Sequence, residues 1–559
     1  MLTLKRFRGA LLPFALLASV SGQQGETFKS QTNLVLVPVE VRSHNQHLAG
    51  LDQDKFTLLQ DGKPQKIAVF EEIRTTTERL QRMPVGPQEF SNQYVGSPAT
   101  ARYTVIAIDR INTTTMDMQR LRQGLMKFLS QVADSGEPIR LIAINSSSIE
   151  MLQDFTTNPK VLAMALGRTR TPAGKVGETS ATLNESLAEQ ENLIVNNPLG
   201  GSEDSQAQYV ATRLQQLDNA KELEQRQIAF KQRSSRINSL EALQMVAQSL
   251  VGLPGRKSVV WASSGYPFGI SVREGRSSTT LDYSQVLEAG NLDEYTTHLL
   301  NAANIAVYPV DARGTVNTAF EVMDPSHKYS ATLAEKDAAR LNNQETITTF
   351  EHLAGSTGGK ACVERTDLSG CFKDAIDDSR DYYMVGFYVD SSLKPGWHKL
   401  QVKVAADANV RSRTGFIYSK LDPDQMRSND MRLQLSSLLI DSGIPFRGQW
   451  MIKEPKGDKK DVGFEMKILP EARVVSEQEL HLNLEIAAVA RGKDGNVAGQ
   501  FLQKIDRQLP PQAISTIGAS GIQYRNSMAL PPGDYLVRLV VRDSNTGRMG
   551  SATTMVKVN

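Results

Sequence analysis

The stretch Tyr103–Asp109, YTVIAID, decides how this chain is read. An apolar, β-rich run ends on one carboxylate and meets Asn112-Thr113-Thr114 before a helical pattern begins, as a buried strand feeding a helix would. In open α/β sheets ligands sit beyond the carboxyl ends of the strands, so Asp109 holds the position where binding or chemistry is built. A second run, Lys257–Ala262 (KSVVWA), ends on Ser263-Ser264-Gly265-Tyr266. If the two strand ends are neighbours, their rim carries hydroxyls, an amide and one acid. That composition suits recognition better than hydrolysis.

Outward from this core, strand and helix patterns alternate. Leu121, Leu125, Phe128 and Leu129 share one helical face after the first strand. Strand Arg140–Asn145, helix Pro159–Leu166, helix Ser239–Val251, strand 257–262, helix Asp293–Ala303, strand Ile305–Val310 and helix Glu345–Leu353 follow. A short strand at Lys360–Val363 and a helix at Ser369–Ser379 close the series. The alternation predicts a parallel sheet with helices on both faces, a Rossmann-like α/β domain over 102–380. Within it, 168–236 reads as an insertion rich in Gln, Asn, Glu and Ser. Helix formers at Ala207–Gln232 carry an irregular apolar face of Val210, Leu214, Leu217, Leu223 and Ile228. This predicts a protruding helix or helical pair after a mobile loop at Thr169–Ser205.

The flanks read as β. Asn33–Val41, Phe56–Leu59 and Ile67–Phe70 are strand-like, with a turn at Asp61–Pro64, but so short a segment cannot bury a core unaided. Tyr382–Val389, Trp397–Val404 and Arg411–Tyr418 supply the missing strands, so 23–75 is expected to pair with 381–420 as a split β-sandwich holding the α/β domain as an insert. Residues 76–101, polar and with Pro84, Pro87 and Pro98, read as a linker. From 424 to 559 a short helix at Met431–Ile440 leads into an all-β pattern with strands at Leu480–Val489, Met528–Leu530 and Tyr535–Arg542, which predicts an immunoglobulin-like sandwich.

At 559 residues and a net charge of +2, without a basic run, the chain is a poor nucleic-acid binder. Lys5, Arg6 and Arg8 precede the apolar run Ala10–Ala18, so 1–22 reads as a signal peptide. That run is shorter than the roughly 20 residues a membrane span needs, and no cysteine follows it for a lipid anchor. The expectation is an exported protein, periplasmic or extracellular, with no membrane span in the mature chain. In such a compartment Cys362 and Cys371 are expected to form a disulfide, contributing about 2–3 kcal/mol in the chain-entropy model.

Eight segments in order carry a resemblance: FTLLQDGKPQKIAVF (56–70), IAIDRINTTTMD (106–117), FTT (155–157), LVGLPGRKSVVWASSGYPF (250–268), NAANIAVYPVDARG (301–314), LAGSTGG (353–359), YYMVGFY (382–388) and VRSRTGFIYS (410–419). Over about 32–420 the chain resembles the VWFA-related Acidobacterial domain proteins, relatives of the von Willebrand factor A fold. The resemblance implies a von Willebrand factor A-type domain, secretion and a binding role, the last by fold analogy alone. Members of the wider superfamily bind a divalent cation through an Asp-x-Ser-x-Ser loop, a threonine from a second loop and an aspartate from a third. Here Asp109 is kept, Ile111 stands at the second position, Thr113 at the third and Ser264 in place of the third-loop aspartate. Ser239 is the nearest counterpart of the second-loop threonine. Asn112 and Asp117 match the family's own version of the loop.

The resemblance therefore implies a degenerate metal-ion-dependent adhesion site, with Asp109, Thr113 and Asp117 as the metal ligands and Mg²⁺ or Ca²⁺ held weakly if at all. The other reading is that Asp109 caps the next helix or accepts loop amides. Asp311, in YPVDARG, either joins Asp109 in an acidic pocket or anchors its own loop. None of the seven histidines sits in an HExxH arrangement, and Ser263-Ser264 lacks a G-x-S-x-G context. No catalytic residue is expected. The favoured expectation is a secreted, non-catalytic protein-interaction or adhesion-type protein, with Asp109, Asn112, Thr113, Ser263 and Ser264 as its ligand face and an unidentified protein as its partner. The alternatives are a divalent-cation-dependent ligand-binding protein, an envelope structural protein and, last, a secreted hydrolase.

Overall fold

The structure, a computed structural model, describes residues 34–44, 46–74, 81–95, 102–131, 137–146, 148–168, 203–253, 255–265, 283–316, 333–378, 380–390, 392–418, 423–456, 459–469, 481–510, 513, 517 and 520–558. The expected signal peptide and all but the last three residues of the expected loop at Thr169–Ser205 lie outside them.

The chain opens with strands β1 (Leu34–Ser43), β2 (Gln46–His47), β3 (Phe56–Gln60), β4 (Lys63–Gln65), β5 (Val69–Arg74), β6 (Gln81–Arg82), β7 (Glu89–Ser91) and β8 (Tyr94–Val95). A central unit follows: β9 (Arg102–Asp109), α1 (Thr115–Gln131), β10 (Ile139–Ile144), β11 (Ile149–Thr156), α2 (Pro159–Arg168), α3 (Glu203–Val251), β12 (Arg256–Ser263), α4 (Tyr283–Ala302), β13 (Ile305–Asp311), α5 (Leu333–Thr357) and α6 (Leu368–Asp378). Then come β14 (Asp381–Tyr388), β15 (Gly396–Val404), β16 (Asn409–Ser412), β17 (Gly415–Tyr418) and α7 (Pro423–Ser436). The chain ends in β18 (Phe446–Lys456), β19 (Lys459–Ile468), β20 (His481–Arg491), β21 (Val497–Gln508), β22 (Ile522–Leu530), β23 (Gly533–Asp543) and β24 (Met549–Val558).

The central sheet has the order β11-β10-β9-β12-β13. Every residue of β9, β10, β12 and β13 is buried, as continuous apolar runs require. Tyr103, Val105, Val259 and Trp261 face Leu243, Val246 and Leu250 of α3, whereas Ile106, Ile108 and Val260 face Leu121 and Phe128 of α1 and Phe372 of α6.

The expected α/β class, a parallel Rossmann-like sheet of von Willebrand factor A type, is corrected. Among the described residues strand outweighs helix, and the strand pairing is mostly antiparallel. Among the described strands, parallel pairing is confined to β10–β9, β9–β12 and β12–β13, and even this sheet is mixed because β11 runs antiparallel to β10. The cause is the length of the connection. β10 turns straight into β11, with the Asn145 N–H on the Ser148 carbonyl at 2.9 Å, and a turn that tight cannot make a parallel crossover. The closing strand expected at Lys360–Val363 reduces to one bridge between Val310 and Cys362. Cys362 and Cys371 form the disulfide, fixing this bridge to α6. Helix α3 is a single 49-residue rod in which the expected insertion helix and the helix at 239–251 are continuous. Phe230 stands 70% exposed on it, whereas Leu240 is fully buried.

Two β units flank the sheet. In the first, β1 pairs with β14 and β3 with β15, so strands from both sides of the central unit share one core around Val37, Phe56, Tyr383 and Phe387. Arg411, Glu40, Asp378 and Arg42 form an ionic cluster where this unit meets α6. In the second, β22-β19-β18-β7 packs against β21-β20-β23-β24 around Phe446, Phe464, Ile486 and Leu539.

Within the segment expected as a linker, 76–101, the described residues 81–95 are built into the fold. Its β7 is a strand of the second β unit, with Phe90 2% exposed in that core. The Asn92 side chain accepts the Phe446 N–H at 2.8 Å and donates to the Asp441 and Ile444 carbonyls at 2.7 and 2.9 Å. Two residues on, the Tyr94 hydroxyl accepts a 2.9 Å bond from Arg140 of β10, whose guanidinium lies 4.1 Å over the Phe155 ring. One short segment thus clasps the C-terminal unit to the central sheet.

Beneath that clasp Asp441 is buried, its Oδ1 accepting the Gly443 N–H at 2.9 Å. Burial pushes its carboxyl up to about 8, opposed only in part by that bond and by the Arg538 charge. An acid whose folded pKa is raised favours the folded state while protonated. That contribution is complete below the unfolded value near 3.8 and is lost as pH rises through about 8. Asp441→Asn keeps an acceptor for Gly443 and cannot ionise. Thermal melts are expected to show the two proteins alike at pH 4, with the variant the more stable at pH 8. A variant less stable at pH 8 would make Asp441 a charged partner of Arg538 instead.

Candidate functional site

The parallel register sets Ala262 beside Ile108, so β9 and β12 end at the same level and bring Asp109 and Ser263 together. Asp109 is fully buried and accepts four protein donors. Oδ1 takes the Ile111 N–H at 2.9 Å and the Asn112 N–H at 3.2 Å. Oδ2 takes the Asn112 side-chain amide at 2.7 Å and the Ser263 hydroxyl at 3.0 Å. Burial raises the Asp109 pKa, and these bonds pull it back towards the ionised form.

The Asn112 amide donates its second N–H to the Ser239 hydroxyl at 2.9 Å, so α3 also reaches the site. Ser264 completes a second, parallel connection. Its N–H donates to Thr113 Oγ1 at 3.3 Å, and its hydroxyl donates to Asp117 Oδ2 at 2.8 Å. Asp117 also accepts the Thr114 hydroxyl at 2.8 Å and pairs with Arg120 at 3.0 Å. Two adjacent serines, at and just past the end of β12, therefore each hold one acid, Asp109 at the end of β9 and Asp117 in the first turn of α1.

Asp311, at the next strand end, anchors its own loop. It accepts the Arg313 backbone N–H at 3.0 Å and forms a bidentate pair with the Arg313 guanidinium at 2.9 and 2.7 Å. The structure brings Asp109, Asn112, Thr113, Asp117, Ser263 and Ser264 into one network, but most of them lie beneath the surface. Asp109 and Ser263 are fully buried, and Thr113 and Ser264 nearly so. At the start of α1, Thr114, Thr115 and Met116 are exposed, the last 71% accessible. Sequence reasoning missed the donor role of Asn112 and the contributions of Arg120 and Arg313. The acid–x₂–amide spacing of Asp109 and Asn112 was the available signal, because an asparagine that close can fold back on the carboxylate.

A hard divalent cation needs about six oxygen ligands, and these residues do not fit one. Both Asp109 oxygens already accept protein donors, Ile111 cannot ligate, and the Asn112 amide points N–H groups into the space between Asp109 and Ser239. Turning that amide would set its carbonyl oxygen against the Asp109 carboxylate. Among the described residues, no group of three or more His, Cys, Asp or Glu side chains is placed to hold a metal.

No family model and no curated protein matches the chain. Among solved structures it is similar to a β-glucuronidase from glycoside hydrolase family 2, at 11% identity over 20% of this chain and 11% of that chain, with a TM-score of 0.15. It is similar also to a glycosyl hydrolase family 2 member from Bacteroides cellulosilyticus DSM 14838, at 8% identity over 32% and 20% with a TM-score of 0.16. A Bacteroides uniformis β-glucuronidase gives 10% identity over 32% and 19%, with a TM-score of 0.15. The chain spans a fifth or less of each of these proteins, and likenesses this faint carry no conclusion about fold or activity.

Asp109→Ala takes the acceptor from the Ile111 and Asn112 backbone N–H groups and from one N–H of the Asn112 side chain, while the Ser263 hydroxyl keeps the Gly265 carbonyl. At about 1–3 kcal/mol for each unsatisfied buried group, the variant is expected to lose at least about 3 kcal/mol in urea denaturation. A loss under about 1 kcal/mol would mean that water replaces the carboxylate at little cost.

Proposed function

We propose that this chain is an exported, non-catalytic binding protein. Its contact surface at the sheet rim is the exposed start of α1, Thr114–Met116, held rigid by the Asp109–Ser263 and Asp117–Ser264 bonds. The observation that supports this reading is the commitment of Asp109, Asp117 and Asp311, the acids at or just past the ends of the described parallel strands, to protein donors. Asp109 accepts four hydrogen bonds, Asp117 is taken by Thr114, Ser264 and Arg120, and Asp311 by Arg313. A general base needs an accessible proton-accepting oxygen beside its substrate. A nucleophilic serine needs a base in reach, yet Ser264 donates to a carboxylate already paired with arginine and Ser263 lies wholly inside.

Outward at the start of α1 stand two threonines and a bare methionine, a side chain suited to adaptable contacts. Such a surface works without a cation, which separates this reading from cation-dependent ligand binding. It also differs from an envelope structural role, in which the C-terminal β unit makes the main contacts.

Photo-crosslinking in the full-length chain tests these readings together. The reactive residue replaces Met116 at the rim, Lys160 at the other end of the sheet, or Met555 on β24, 61% exposed. Mixed with the native envelope and medium, position 116 is expected to give a discrete protein adduct that survives EDTA, and position 160 none. An adduct from position 555 alone favours the envelope structural role, and loss of the 116 adduct in EDTA favours the cation-dependent one. Either outcome overturns the proposal.

A further inference from the structure

Among the described residues, the outer face of the sheet β21-β20-β23-β24 is half covered. Strands lie about 4.8 Å apart and a helix is about 10 Å wide, so one helix shields roughly two strands. Helix α7 packs over β23, where Met431 meets Val540 and Met549 in a small buried cluster that also includes Ala487 of β20. The half over β20 and β21 is left as a groove of about 720 Å³, with α7 as its wall. Val489 and Leu502 lie on its floor and Leu435 on its wall, and Leu502 is 67% exposed.

The charge around this apolar strip is one-sided. Arg432, Arg491, Lys504 and Arg542 line the groove against a single acid, Glu485. Glu485 is itself engaged with Arg542 at 3.2 Å. Arg432 and Lys504 meet Glu241 and Asp506 at 3.1 and 3.4 Å, but both cations are more than half exposed. Exposed pairs contribute about 0–1 kcal/mol, so a partner carboxylate exchanges with them readily.

We infer that this groove is a second interaction surface, separate from the rim, and that it takes an acidic amphipathic helix of a partner protein laid alongside α7. Leucine-like residues of the partner cover Leu502, Val489 and Leu435, and its carboxylates face Arg491, Lys504 and Arg432. A helix seated in this way completes the covering of the sheet that α7 begins, the helix-in-groove mode of recognition. Charge complementarity sets the sign of the partner, and the apolar floor requires that it be amphipathic rather than merely anionic.

The test uses fluorescence anisotropy on the full chain with three probes. They are a labelled helix of about 18 residues, roughly five turns, with leucine on one face and glutamate on the other, its leucine/lysine counterpart, and polyglutamate. The leucine/glutamate helix is expected to bind at least about tenfold more tightly than either control. Leu502→Asp and Lys504→Glu are each expected to weaken it by about tenfold or more at an unchanged melting temperature. Equal binding of polyglutamate or of the leucine/lysine helix overturns the inference, as does unchanged affinity in both variants. Sedimentation velocity adds a further outcome: a concentration-dependent dimer abolished by Leu502→Asp assigns the face to a second copy of this chain and overturns the partner reading.

Discussion

A carboxylate taken wholly out of water must be met by donors, and the way Asp109 is met shapes the rest of the rim. Its four bonds come from two residues of its own loop and from the end of a neighbouring strand, so the ligand set closes only when β9 and β12 stand in parallel register. The Asn112 amide then occupies, with two N–H donors, the space that a cation would fill with positive charge. The consequence is a rim stabilised from within. Asp109 and Asp117 are both occupied by protein donors beneath the start of α1.

The same economy of charge runs through the molecule. Arg140, fully buried, is shared by Asp154, Tyr94, Ser249 and the face of Phe155. Arg538 spreads its donors over Gln434, Leu439, Ser551 and Thr553. These two arginines lie at opposite ends of the 89–95 clasp, one in the central sheet and one in the C-terminal unit. A fragment cut at residue 424 loses β7 together with Asn92, so the C-terminal β unit is not self-contained.

Much of the central sheet was legible because its strands are unbroken apolar runs. YTVIAID and KSVVWA fall within β9 and β12, and the rim residues they carry do converge. The direction of the edge strand was not legible. IEMLQDFT is only half-buried and has no clean alternation, so β11 went unseen and with it the mixed character of the sheet. Local strand–helix order says nothing of whether a tight turn has reversed the chain. Nor did β7 announce itself: EFS offers one apolar residue in a proline-punctuated stretch, and its place was set by the cavity that Phe90 fills beside Trp450 and Phe464. The insertion helix ran on into the helix at 239–251 because no glycine or proline stands between them to stop it.

The role of Asn112 marks the limit of residue-type reasoning about ions. Its oxygen counts as a potential ligand on paper, yet beside a buried carboxylate whose oxygens accept protein donors it is the N–H side of the amide that faces inward. Titration of the full-length protein with Mg²⁺, Mn²⁺ and Ca²⁺ by calorimetry tests this most directly. The account predicts no binding tighter than about 1 mM, which corresponds to about −4 kcal/mol. Binding near 1 μM that disappears in Asp109→Ala would contradict it.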